Sequence, residues 1–259
     1  MRHYILTLIL SFGLTSCSNA FRDFPDKSSD QYYIDVAKLY LNQFKFTEAI
    51  EKILPVLETQ PRNAEVVEIA MLAYAGRAGL RVLDLILTLG SDSGSSSFFR
   101  IFAEHFPGAT DDDIADIQAA IDILEGYESD ATLRDSELNL IGMFLYYSRI
   151  GVTLNRYAYD GDTILPSFDQ CDPADLPDAP LTQIVQSVPK ALTAASNLSS
   201  GGVSDALDGL TSTPAIQAFA GDEDAECPAD AAPCQRMRSL IGEGALGIGL
   251  GSGVAAVCP

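Results

Sequence analysis

The sequence predicts an all-α protein whose C-terminal part is loop-rich and tied by disulfides. Three observations predict it. Apolar residues recur at helical spacing from about Ser28 to Leu89 and again from Ser136 to Tyr157. Beyond Tyr159 the chain turns to Asp, Pro and Gly, and Cys171, Cys227, Cys234 and Cys258 all fall in that stretch. Hydrophobic residues make up 47% of a chain whose formal net charge is −20. The acid therefore coats a real core, because a disordered acidic chain lacks that apolar content. Such a surface does not bind nucleic acid or anionic lipid through charge.

The first residues read as an export signal. Met1-Arg2-His3 supplies a positive end, and Tyr4 to Leu14 is nearly all apolar. That run is shorter than the roughly 20 residues a membrane span needs. It fits the hydrophobic region of a secretory signal. Leu14-Thr15-Ser16-Cys17 follows directly and resembles the bacterial lipobox. The resemblance implies cleavage before Cys17 and acylation of Cys17, so that residues 1–16 are a signal peptide and residues 17–29 a lipidated tether. It also implies a bacterial cell-envelope protein held on the membrane by lipid, with no other cofactor. Ser18, in place of Asp, implies the outer membrane by the same analogy.

With Cys17 assigned to lipid, four cysteines remain, an even set in an exported chain, which reads as two disulfides. Three pairings are open. The short loop across Pro228 and Pro233 favours Cys227–Cys234, which leaves Cys171–Cys258 to tie down the C-terminal part. A metal site is the alternative, but no CxxC is present and the mature chain has His105 as its one histidine. No metal is expected.

The first helical region carries a repeat signal. Tyr33, Val36, Ala37 and Tyr40 stand on one predicted helix, Phe46 precedes a second with Ala49, Ile53 and Val56, and Pro61 closes the unit. Ala37 and Ala49 permit close approach of two antiparallel helices. This stretch resembles the tetratricopeptide repeat of about 34 residues. Pro55 departs from it and should bend the second helix. A second copy starts at Ala64 with Val67, Ala70, Met71 and Tyr74, then decays at Gly76 and Gly79. Leu80 to Leu89 is apolar on most faces and reads as a buried helix. The resemblance implies a concave groove lined by first helices, with Gln31, Ile34, Lys38, Leu41, Glu65, Glu68 and Leu72 as candidate partner-contacting residues. The basic clamp of some relatives is not evident, since Ile34 and Glu68 stand where it would begin.

Further elements follow in order. Ser91 to Ser97 is a loop, and Phe98, Phe99, Phe102 and Phe106 form an aromatic stripe that reads as core. Pro107-Gly108 ends that helix. Thr110 caps the next, with Asp111, Asp112 and Asp113 in its first turn, where carboxylates are favoured. Leu138 to Tyr147 is apolar almost all round and belongs at the centre of the fold, too short to be a membrane span. The helical region runs over 30–158, and 159–259 forms an acidic, disulfide-bonded region packed on it. The Asp-rich loop from Tyr159 lacks the spacing of a calcium loop and reads as a solvated loop tied down by Cys171. Leu181 to Leu198 returns to helix, with a kink expected at Pro189. Gly242 to Gly247 spells GxGxxG, but it follows a helix, and no acid stands about 20 residues on. The glycines read instead as a close-packed segment, with a C-terminal membrane span as the rival.

No nucleophile motif, HExxH or phosphate loop appears, so no catalytic residue is nominated. The reading the residues favour is a non-enzymatic, membrane-anchored scaffold that binds another envelope protein through its helical hairpins. The alternatives are a solute- or calcium-binding accessory of an envelope transport system and a hydrolase using paired carboxylates.

Overall fold

Helices dominate because the apolar period of 3.6 runs through most of the chain and its glycines and prolines cluster between the periodic segments. The computed structural model describes residues 28–91, 97–128, 136–197, 213–228, 231–244, 246–250 and 258. Cys17 and the rest of the expected signal and tether, up to residue 27, lie outside them, as does 251–257 of the Gly-rich tail. The helices are α1 Asp30–Asn42, α2 Phe46–Thr59, α3 Ala64–Arg77, α4 Val82–Ser91, α5 Phe98–Glu104, α6 Asp111–Glu128, α7 Ser136–Ala158, α8 Asp178–Ser196, α9 Pro214–Gln217 and α10 Ala232–Gly242. Two short strands, β1 Tyr159–Asp160 and β2 Thr163–Ile164, pair antiparallel. Among the described residues no helix is long and apolar enough to cross a membrane.

α1, α2 and α3 pack side by side, joined by short turns. Ile34, Ala37, Ile53, Val56, Val66, Ile69 and Ala70 interleave at their shared seam, and Ala49, Ile50 and Ala73 form a second small cluster. Ala37, Ala49 and Ala70 are fully buried, the small side chains that let the helices approach. α2 continues through Pro55. The ring of Phe46 fills the space a side chain at Gly76 would occupy, so that an added Cβ would strike it. That contact ties the α1–α2 turn to the C-terminal end of α3. α3 itself closes with Leu80 N–H donating back to the Ala75 carbonyl at 2.9 Å across Gly79, whose φ is +94°, the left-handed helix ending that glycine favours.

The sequence expectation for Leu80 to Leu89 needs correction. α4 does not fold back against α3 as a buried partner. α6 lies along α3 instead, and the Arg77 guanidinium clasps the Asp116 carboxylate between them at 2.5 and 2.6 Å. On α4, Leu85 is buried in the main core while Leu83 and Leu87 stand 69% and 61% exposed. The physical reason is spacing. Leu83 and Leu87 are one turn apart, and Leu85 lies on the opposite side of the helix, so one docking interface cannot take all three.

The main core gathers on α7, as expected for Leu138 to Tyr147. α7 packs against α5, α6 and α8. Phe98, Phe102 and Tyr147 meet ring to ring at 4.8–5.2 Å. Gly151 lets α5 come close, since a Cβ there would lie 2.5 Å from the Phe102 carbonyl oxygen. Buried Asn155 stitches the end of α5: its amide donates to the Ala103 carbonyl at 2.9 Å, and its oxygen accepts from Ala109 N–H at 3.0 Å. The expected cap on α6 is present. Thr110 N–H donates to the Asp113 carboxylate at 2.8 Å, and Asp113 N–H donates to the Thr110 hydroxyl at 3.3 Å, a reciprocal capping pair.

Both disulfides join the favoured partners, Cys171–Cys258 and Cys227–Cys234. The acidic loop is exposed along most of its length and tied down by Cys171, as expected of a solvated loop, and it carries hydrogen bonds of its own. Asp175 accepts from Asp169 N–H and Asp169 from Cys171 N–H, each at 2.8 Å. Buried Arg238 of α10 donates to the carbonyls of Gln170 and Leu176 and to the Asp178 carboxylate at 2.8–3.0 Å. α8 runs through Pro189. The GxGxxG segment folds back on α10, Ile248 N–H donating to the Ile241 carbonyl at 2.8 Å. A Cβ at Gly247 would strike that carbonyl, so the glycine serves a tight chain reversal rather than a neighbouring helix. Leu246 then accepts from Phe99 N–H at 2.9 Å, which gives the start of α5 a partner for one of its orphan donors.

Candidate functional site

The candidate groove residues divide by the local geometry of α1 and α3. Lys38 on α1 forms an ion pair with Glu65 on α3, side chain to side chain across the two helices. That pair raises the Lys38 pKa, chiefly through its hydrogen bond to Glu65. Gln31 is exposed and donates to Asp35 at 2.9 Å. Glu65, Glu68 and Leu72 are half-buried along α3, and Leu41 is half-buried against both hairpin clusters. Ile34 differs from the expectation. It is buried at the α1–α2–α3 seam and offers nothing to a partner. Spacing along α1 does not separate it from Gln31 and Lys38, three residues before and four after it; what buries it is the convergence of α2 and α3, through Ile53, Val56, Val66 and Ile69, on this stretch of α1.

A polar cleft that sequence reasoning did not assemble lies where α3, α4, α5 and α6 converge. Its volume is about 560 Å³, and Arg77, Arg81, Asp84, Glu104, His105 and Asp113 line it. His105 caps the C-terminal end of α5. Its Nε2 accepts from Arg81 N–H at 3.1 Å, which makes Nε2 the unprotonated nitrogen and leaves the proton on Nδ1. Glu104 accepts from Arg100 at 2.6 Å, Asp113 from Thr110, and Asp84 stands 3.9 Å from Arg81. Only His105, at the end of an aromatic helix, could have signalled this cleft from sequence.

Burial lowers the His105 pKa below its ordinary 6.5, with Asp84 opposing and Arg81 adding to the effect. The folded protein therefore prefers the neutral ring. The stability this contributes is complete above pH 6.5 and is lost as pH falls below it, because the unfolded chain takes up the proton first. Protonation at Nε2 also removes the acceptor of Arg81 N–H and loosens the start of α4. Thermal melts of the wild type should show a falling midpoint below pH 6.5, a slope that His105→Gln flattens. Equal slopes in both proteins would refute this.

A third feature lies inside the α6–α7–α8 contact. Arg149 is 3% exposed. It donates from Nε to the Ser187 hydroxyl at 2.6 Å and from Nη1 to the Gln118 side chain at 3.0 Å. Gln118 in turn donates to Asp122 at 2.7 Å. Nearby, Glu125 accepts from Lys190 at 2.7 Å and from the Tyr146 hydroxyl at 3.3 Å. Desolvation lowers the Arg149 pKa, opposed by Glu125 and Asp122. Elsewhere, α9, α10 and Cys258 border an apolar cavity of about 640 Å³, with Phe219 and Leu240 in its wall. No cluster of three or more metal-ligating side chains occurs among the described residues.

Together these features define an all-α protein stapled by two disulfides, with a charged hairpin face and a polar cleft. Comparison with protein-family models, with curated proteins and with solved structures found no match.

Proposed function

We propose that this chain is an envelope lipoprotein, acylated at Cys17 and held at the outer membrane, that binds another envelope protein through the α1–α3 hairpins without catalysing a reaction. The observation that carries the reading is the α1–α3 face. Its polar members, Gln31, Lys38, Glu65 and Glu68, and the half-buried Leu41 and Leu72 belong to two neighbouring helices coupled by the Lys38–Glu65 pair. A few apolar anchors among charges is the composition of a protein-binding surface rather than of a core. The lipobox-like Leu14–Cys17 run supports the anchor.

A photo-crosslinking residue placed at Leu72 or Lys38 in intact cells should yield one discrete adduct with a second envelope protein. The same residue placed at Thr193, on exposed α8 surface, should not. Absence of an adduct from both α1–α3 positions would remove the reading. The apolar cavity of about 640 Å³ beside α10 favours a second reading, a solute-binding accessory of a transport system, since ligand sites are commonly concave and mostly apolar at this size. A thermal-shift screen of small solutes and calcium that stays flat throughout counts against it.

A further inference from the structure

All the exposed large hydrophobic side chains among the described residues gather at one end of the hairpin array. They are Leu39 at 40%, Phe44 at 73%, Leu83 at 69% and Leu87 at 61% exposure. Leu39 sits in the last turn of α1, and Phe44 lies in the α1–α2 turn. The packing of Phe46 on Gly76 brings that turn to the end of α3, from which α4 departs with Leu83 and Leu87 on its outward side. The opposite end, where the chain enters at Ser29, is polar: Gln60 donates to Asp30 at 2.6 Å and Asn63 to Gln60 at 2.9 Å.

Phe44 makes this arrangement hard to explain within the chain. Its φ is +57°, in the left-handed region that bulky residues avoid, and the ring it thereby presents is the most exposed of the four. Backbone strain and an exposed aromatic ring both oppose this conformation, and the edge contact with Phe46 at 6.1 Å covers little of the ring.

We infer that this end of the molecule, with Phe44, Leu83 and Leu87 at its front, rests on the surface of a lipid bilayer. The inference builds on the reading that Cys17 carries lipid. Two observations favour lipid over protein as the occupant. The first is layout. The four side chains expose on the order of 500 Å² between them, but they stand on three separate segments, α1, the α1–α2 turn and α4, and make no continuous helix face. A bilayer needs no matching surface and accepts an apolar face that enters only about 5–10 Å. A second copy of this chain would also bring its own charge of −20 to the contact.

The second observation is reach. Residues 17–29 span up to about 40 Å when extended, about twice the roughly 20 Å length of α1. A chain anchored at Cys17 can therefore turn the far end of the array toward the membrane that holds it. The attraction is apolar, so added salt should change it little.

The chain contains no tryptophan, so a single introduced tryptophan reports its own position alone. Phe44→Trp, Leu83→Trp and Leu87→Trp are made in the full lipidated chain, with Glu58→Trp, exposed near the opposite end, as the control. Each is reconstituted in phosphatidylethanolamine vesicles with or without brominated phosphatidylcholine, and the acyl mass on Cys17 is read on the same sample. The expected result is a blue-shifted emission and a loss of intensity with the brominated lipid at the three patch positions, and neither at Glu58→Trp. With the acyl mass present, water-like emission and no quenching at the patch overturn the docking and leave the anchor standing. Equal quenching at all four positions also overturns it. A missing acyl mass removes the anchor and the docking that depends on it. Patch emission that is blue-shifted without vesicles and varies with protein concentration identifies a second copy as the occupant and overturns the inference.

Discussion

Replacing Cys171 and Cys258 together with serine is expected to lower the unfolding free energy by about 4–5 kcal/mol, against about 2–3 kcal/mol for the Cys227/Cys234 pair. The difference comes from the loops the bonds close. The first joins residues 87 apart in sequence and the second residues 7 apart, and the entropy a cross-link removes from the unfolded chain grows with the logarithm of loop length. The long bond also acts on native contacts. It anchors the chain beyond the segment that gives α5 its Leu246 carbonyl and holds the loop that Arg238 organises from Gln170 to Asp178. Urea denaturation of the two double variants, both with the remaining disulfide formed, tests this. Equal losses would show that loop length does not control the stabilisation.

Gly151→Ala is the second large effect, a loss of about 2 kcal/mol. Alanine is normally the better helix residue by about 1 kcal/mol, so the usual expectation has the opposite sign. Here the added Cβ would lie 2.5 Å from the Phe102 carbonyl oxygen and 2.7 Å from its carbonyl carbon. Backbone cannot rotate away as a side-chain tip can, and forced overpacking costs about 1–3 kcal/mol or more. α5 must move off α7, which separates the Phe98, Phe102 and Tyr147 rings. Gly126→Ala on α6 is the comparison, because its Cβ meets nothing within 4 Å. It should gain up to about 1 kcal/mol. Measured unfolding free energies that move the same way in both variants would contradict the packing account.

Much of the fold was legible where one physical signal dominated. The continuous apolar run Leu138 to Tyr147 has nowhere to go but the centre, and α7 lies there. Thr110 with Asp113 three residues later specifies a helix start, and the bonds form as expected. The favoured cysteine pairing holds because a loop bounded by Pro228 and Pro233 suits a short bridge.

Misreadings arose where the signal was relational. Leu80 to Leu89 is rich in leucine, yet hydrophobicity alone does not say whether a neighbour is present, and α6 takes the place along α3. Ile34 shares a stripe with Gln31 and Lys38, so α1 alone does not show that α2 and α3 close over it. The loop from Tyr159 is solvated and tied by Cys171 as expected, but Arg238, which organises it, is far along the chain and its bonds are not legible locally. The same distance hid the cleft around His105. Its lining comes from four helices, and no local pattern marks their convergence.

The bond from Phe99 N–H to the Leu246 carbonyl has a consequence in time. α1, α2 and α3 complete their shared seam from neighbouring segments, so they can assemble soon after synthesis passes Arg77. α5 receives its Leu246 partner only after the intervening chain has been made, roughly 7–30 s later at about 5–20 residues per second. During that interval the Phe99 N–H at the start of α5 lacks its partner, although α7, made earlier, can already cover the aromatic side. The growing chain thus carries a leading part that closes early and a middle whose last bond waits for residues far along the sequence.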